Sequence, residues 1–387
     1  MRSLTWDEVW ERRLARHALL TPRPKEALVD VVGAVCGIHA QMAPAADLSL
    51  GIRVAGVTRQ DVRAELWERR GLVKTYGIRG TVHLFPASEA PLWSAALQAN
   101  TDPADAQRLT QMGLDPAQAE AVLAAIGDAL DGRCLTREEL GQEVARRTGS
   151  WALDAISPAF GGHWPRWQMM IGAAANAGLL CFGPNQGARV TFVRPDQWLG
   201  GWRQVEGSVA LREVLRRYLA AYGPATHNEF TQWFGMRPGA ALALMRQLGD
   251  AAEEVDIEGH RAWRLASEPD VPPLRGETQD LVRLLPHFDC YAIGCHPRDR
   301  LVPAGLKERA LTRGSIGNVP LIIIAGVVAG VWQYQRHGRR LEIRAETLHP
   351  LSAGQRRELT AAAARVGEIM EAEATLSLGA VDVRPHL

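Results

Sequence analysis

Two side chains have a spacing that could do chemistry: His39 and Gln41, in Gly-Ile-His-Ala-Gln41. A neutral imidazole, with a reference pKa of about 6.5, can accept a proton from water near physiological pH. A carboxamide can hold the same water in one orientation by donating and accepting hydrogen bonds. Residues two apart point nearly opposite ways on a helix but share a face in an extended segment. The surrounding elements therefore decide whether the pair can act together. From Lys25 onward, Leu28, Val31, Val32, Val35 and Ile38 recur at helical spacing, and Pro44 biases Ala43 away from helical geometry. The helix is expected to end between Gly37 and Met42, leaving imidazole and carboxamide side by side at its exit. The alternative role for His39 is to cap carbonyls at a helix C-terminus, where an imidazolium is favourable.

A chain of 387 residues has room for roughly two to four modules, each with a modest core. Hydrophobic content of 47% with 22% charged residues is that of an ordinary globular protein, and a net charge of +1 gives no argument from bulk basicity. Lys25, Lys74 and Lys307 are the only lysines, so arginine supplies 41 of the 44 basic residues. Its planar fork suits phosphate contacts, although a GC-rich coding sequence would produce the same bias. The five cysteines are dispersed, without a CxxC pair, as expected of reduced thiols in a cytoplasm. His287, Cys290, Cys295 and His296 form a cluster, but their spacing matches no standard zinc pattern. The N-terminus reads as a charged amphipathic helix and not a signal peptide, and the apolar run 319–332 is too short to span a bilayer. A soluble, intracellular protein that does not engage membranes is expected. Walker, GxGxxG, GxSxG and HExxH motifs are missing.

The order of predicted elements gives an α+β fold of tandem winged-helix modules, three in number, with a C-terminal β-rich cap. Thr58, Thr136 and Thr226 each open a capping box or a close variant, and each is followed by short strands around a glycine turn. The divisions are 1–114 (N-terminal helix and first module), 115–200 (second), 201–270 (third) and 271–387 (cap). In the first module a helix is moved or replaced by 48–54. A proline-rich linker at 268–276 precedes the cap, where 280–301, 319–325, 327–334 and 341–345 read as largely strand. Ser352 caps a helix, and 374–378 is a last strand. Gln333-Tyr-Gln-Arg-His-Gly-Arg-Arg340 is predicted to be a hairpin tip able to enter a DNA groove or simply to turn in solvent.

With these residues in place, the chain resembles the bacterial winged-helix DNA glycosylases of the AlkZ type, associated with self-resistance to azinomycin-like DNA alkylators. The resemblance rests on Gly-Ile-His-Ala-Gln41, Ile-Arg-Gly-Thr-Val-His83 and Leu-Leu-Pro-His-Phe-Asp289 with Tyr291, Gly294, Asp299 and Arg300. Gly330-Val-Trp332 and Leu351-Ser352 add to it. The family motif is Gln-x-Gln, or Gln-x-Asp in a sister branch; here His39 takes the first position and Gln41 matches the last. Either His39 takes over activation of the water, or this branch has lost activity.

The resemblance implies a monofunctional glycosylase hydrolysing the N-glycosidic bond of bulky cationic N7-alkylguanine in double-stranded DNA, with interstrand crosslinks as further candidates. A cytoplasmic, nucleoid-associated monomer with no metal and no cofactor is then expected. His39 and Gln41 are the expected catalytic pair. Lys74, Arg79, Thr81, His83, Arg336, Arg339 and Arg340 are expected DNA contacts, and Asp289, Asp299 and Arg300 an expected structural network. The competing expectation is a non-catalytic winged-helix DNA-binding protein, either a regulator or a binder that sequesters a drug.

Overall fold

Several helix starts in this chain are set by reciprocal capping. Thr5, Asp115, Thr136, Thr226 and Ser352 each accept from the backbone N–H three residues on, and the side chain there returns a bond to the cap. Thr58 donates from its backbone and hydroxyl to Asp61 at 2.9 and 3.0 Å, ahead of the helix Arg59–Trp67. The computed structural model describes residues 2–100, 102, 104–159, 162–269 and 278–382; most of the linker expected at 268–276 lies outside the described residues. The described chain is a mixed α+β fold in two units. One comprises residues up to Glu65 together with those from Leu215 on, the other Leu66–Val214.

In the first unit the apolar helix around Val31 ends at Ala34, earlier than its periodicity suggests. Cys36 and Gly37 adopt left-handed φ values of 62° and 94°, and the Gly37 N–H returns to Val32 O at 2.8 Å. A left-handed pair ends a helix whatever the apolar spacing beyond it. Ile38–His39 is a short strand, and a new helix follows at Ala43–Gly51 with Pro44 in its first turn. Pro44 thus starts a helix as well as ending an extended segment, because a first-turn proline loses no hydrogen bond.

A five-stranded sheet runs in the order Val282–Leu285, Leu321–Ile324, Val327–His337, Arg340–Thr347, Glu373–Leu378. All pairs are antiparallel except the last, whose two parallel strands are joined through the helix Ala353–Met370. The stretch 280–301 is not largely strand. After Leu285 it turns into helical segments Cys290–Gly294 and Arg298–Leu301. Asp289 caps the first of these, and Arg298 donates to the carbonyls of Ala292, Ile293 and Cys295 at its end. Helices Gly207–Tyr222, His227–Phe234 and Pro238–Gln247 precede a hairpin of Ala252–Ile257 and His260–Leu265, to which Arg2–Leu4 adds a parallel strand.

The second unit carries hairpins Leu72–Tyr76 with Val82–Pro86, Ala155–Ala159 with Gly162–Pro165, and Cys181–Gln186 with Arg189–Val193. Its helices include Ala90–Ala99, Pro116–Ala129 and Arg137–Thr148.

The sheet's crossover helix packs on the helix that follows His39 and Gln41. A Cβ on Gly51 would collide with the Ile369 side chain, so glycine permits the close approach. Arg365 then donates to Gly51 O at 2.9 Å, Val54 O at 3.0 Å and Val57 O at 2.8 Å. One guanidinium satisfies the last carbonyl of the helix and two in the chain that leaves it. Replacing Arg365 with leucine should keep the packing but strand these groups, at about 2 kcal/mol. Thermal melting should show a loss of roughly 5 °C; an unchanged transition would mean that water replaces the guanidinium without cost.

Candidate active site

His39 and Gln41 lie in the extended passage between two helices. His39 retains 9% of its surface, while Gln41 is exposed, so a shielded imidazole precedes an open carboxamide. The His39 ring lies over Phe288, with centroids 6.4 Å apart and planes at 26°. Phe288 has φ 54°, an expensive conformation for a bulky residue, and its N–H donates to Gly317 O at 2.8 Å.

Asp289 holds that strained residue in place. Its carboxylate, 1% exposed, accepts from Arg53 at 2.7 and 2.8 Å, from Ser49 Oγ at 2.7 Å and from the Tyr291 N–H at 2.9 Å. Arg53 also donates to Ser49 O at 2.7 Å. Burial works against the charged guanidinium, but the Asp289 carboxylate outweighs it and raises the Arg53 pKa. The turn bearing His39 and Gln41 leads into the helix carrying Ser49, and the segment beneath His39 carries Asp289. The bidentate pair therefore ties the two walls together. Tyr222 adds a second tie, its hydroxyl donating to Val35 O at 3.0 Å and reaching Cys290 O at 3.3 Å.

Asp289 is thus the hub of a network whose partners are Arg53 and Ser49. Asp299 and Arg300 are exposed, and the Arg300 guanidinium lies 5.8 Å from the Trp6 ring. The sequence reading missed Arg53; the one signal for it was an arginine inside the apolar run 48–54, a charge that is costly to bury there without a partner. Of the cysteine–histidine cluster, burial pushes the thiols of Cys290 and Cys295 up to about 12 and about 11. Among the described residues, no group of three or more His, Cys, Asp or Glu is placed to hold a metal ion.

The expected DNA contacts fall into different settings. In the second unit, Arg79 is exposed at a left-handed φ of 55°, and Thr81 turns its hydroxyl onto Ile78 O at 3.0 Å. Lys74 places Nζ 4.9 Å from the Phe182 ring. His83 is 1% exposed and stacks on Phe85, so it is a core histidine of the hairpin and offers no surface contact. In the first unit, Arg336 is anchored to Gly338 O and Met370 O, both at 2.9 Å, whereas Arg339 and Arg340 are exposed at the hairpin turn.

The "DNA glycosylase AlkZ-like" family profile matches residues 32–369. The chain belongs to this family. It is 32% identical over 339 residues to an interstrand DNA cross-link repair glycosylase of Streptomyces sahachiroi, covering 85% of this chain and 88% of that protein. The solved structure of the S. sahachiroi DNA glycosylase AlkZ superposes with a TM-score of 0.79 at 26% identity, over 97% of this chain and all of the other. As an AlkZ-like protein it is a DNA glycosylase, and DNA is its substrate. Among the described residues no helix is long and apolar enough to cross a membrane.

His83 makes a testable contribution to stability. Burial first, then Arg79, lowers its pKa to about 4, against the opposing hydrogen bond with Thr81 O. Between about pH 6.5 and pH 4 the unfolded chain binds a proton that the native state does not. Stability from this group is therefore untouched above that window and falls with acidification through it, by up to roughly 3 kcal/mol. The stability difference between wild type and His83→Gln, measured by denaturation at pH 7 and pH 4.5, should shift in the variant's favour in acid. An identical difference at both pH values would contradict a neutral buried imidazole.

Proposed function

We propose that this AlkZ-like enzyme hydrolyses the N-glycosidic bond of bulky, cationic N7-alkylguanine in duplex DNA, acting in self-resistance to a DNA-alkylating natural product and unhooking interstrand crosslinks. The observation that carries the reading is the shielded His39 two residues from the exposed Gln41, in a turn held by the Asp289–Arg53 pair. An N7-alkylated guanine already bears positive charge and leaves as a neutral base, so its departure needs no general acid. The remaining work is to deliver water to C1′ as positive charge develops on the sugar. His39 accepts the proton of that water, and Gln41 fixes its orientation through the carboxamide. The rigid turn favours this chemistry, because two groups acting on one water must be positioned before the reaction.

Arg339 and Arg340, exposed at the hairpin turn, suit phosphate contacts, as do Arg79 and Lys74. We read 115–200 and 201–270 as winged-helix modules, since each supplies helices followed by a hairpin. Residues 1–114 form a modified first module, and 271–387 the cap. The protein acts as a monomer in the nucleoid.

The test is single-turnover base release from duplexes carrying N7-alkylguanine or uracil. The cationic adduct should be excised and uracil should resist. His39→Ala should slow excision by about a hundredfold, as for loss of a general base. Gln41→Ala should also be severe, with effects that do not add because both act on one water. Unaltered excision in the double variant would place the catalyst elsewhere, and comparable rates on uracil would reveal an acid that this mechanism lacks.

A further inference from the structure

A cavity of about 430 Å³ opens in the first unit beside the residue that follows Gln41. Met42 forms one wall, and the strand Val327–His337 supplies Trp332, Gln333, Tyr334 and Gln335. The same strand continues to the arginine-bearing hairpin turn. Val381 and Asp382 also line it, and Arg309 donates to Val381 O at 2.7 Å, fixing that backbone. Among the described residues the lining contains the Asp382 carboxylate and the His287 imidazole, and no lysine or arginine. With no permanent cation and one carboxylate, it suits a neutral group better than a phosphate. The volume falls in the range of drug-sized ligand sites, about 300–1,000 Å³. Aromatic and thioether faces suit a flat ring system, and two carboxamides offer donors and acceptors to its substituents. Burial, and then Asp47, raise the Tyr334 pKa against the influence of Arg336, so the phenol keeps its proton as a donor.

We propose that this cavity is a specificity pocket that takes the aromatic body an N7-alkylguanine adduct carries beyond the base. Tyr334 and Met42 form its contact faces, and Gln333 and Gln335 its polar rim. The proposal rests on the reading of His39 and Gln41 as the catalytic pair, since the pocket begins one residue after Gln41. It makes lesion recognition a matter of the attached group, so that a small alkyl substituent leaves the pocket empty.

Gln335 is exposed on its strand, where an aromatic residue is well tolerated, so Gln335→Trp fills the pocket without disturbing the core. Affinity is measured in a Gln41→Ala background, which keeps the lesions intact, for duplexes carrying either a bulky aromatic N7-alkylguanine or N7-methylguanine. The bulky adduct should bind at least about tenfold more tightly, and Gln335→Trp should bring the ratio close to one. Gln335→Ala, which removes the amide but leaves the space, should lower the ratio by roughly two- to fivefold. Equal affinity for the two duplexes, or a ratio that both substitutions leave intact, overturns the pocket. The catalytic reading is tested separately by excision with the unsubstituted enzyme. If the binding ratio follows this pattern while neither adduct is excised, the pocket stands and the catalytic reading falls.

Discussion

The turn that carries His39 and Gln41 depends on a buried ion pair. Arg53 and Asp289 are each fully enclosed at the side chain and meet in a bidentate geometry at 2.7 and 2.8 Å. Such a pair adds little net stability over an apolar substitute, but losing one partner strands a charge at about 3–5 kcal/mol. Its main consequence is geometric. Asp289 follows a phenylalanine in a left-handed conformation and precedes a capped helical turn, while Ser49 and Arg53 belong to the segment emerging from the motif. The carboxylate accepts from both sides at once, so the His39 ring and its Phe288 neighbour cannot drift independently.

The histidines of the chain show how position decides their chemistry. His17 is sealed, with its pKa driven well below the usual value by burial and then by Arg53, Arg13 and Arg16. His83 is likewise held neutral, its ring committed to Thr81 O and Phe85. Both are structural groups that no substrate reaches. His39, by contrast, keeps a fraction of its surface open and is followed by an exposed carboxamide.

Much of this architecture was legible in the sequence wherever a local rule decided the outcome. The capping boxes at Thr136, Thr226 and Ser352 announce their helices, and Gly259 and Gly338 mark hairpin turns that form as expected. Legibility failed where long-range contacts overrode local pattern. Nothing in the apolar spacing through Ile38 signals the left-handed Cys36 and Gly37 that end the helix early. The apolar character of 280–301 reads as strand, because the carbonyl-binding role of Arg298 and the cap by Asp289 appear only once the chain is folded. The motif pair was visible at once; its support was not, since Arg53 and Asp289 stand 236 residues apart.

What distinguishes this chain from the family motif is an imidazole where a carboxamide is usual. A glutamine in that position can orient water but has no basic nitrogen, whereas neutral histidine can also take its proton. In the proposed mechanism His39 takes up a proton, a role that His39→Gln abolishes while retaining a hydrogen-bonding group. The most direct measurement is the pH dependence of single-turnover excision of an N7-alkylguanine by wild type and His39→Gln. The wild-type rate should fall in acid as the imidazole protonates, and the variant should be slower but lack that acid limb. Profiles of the same shape in both proteins would contradict proton transfer to His39.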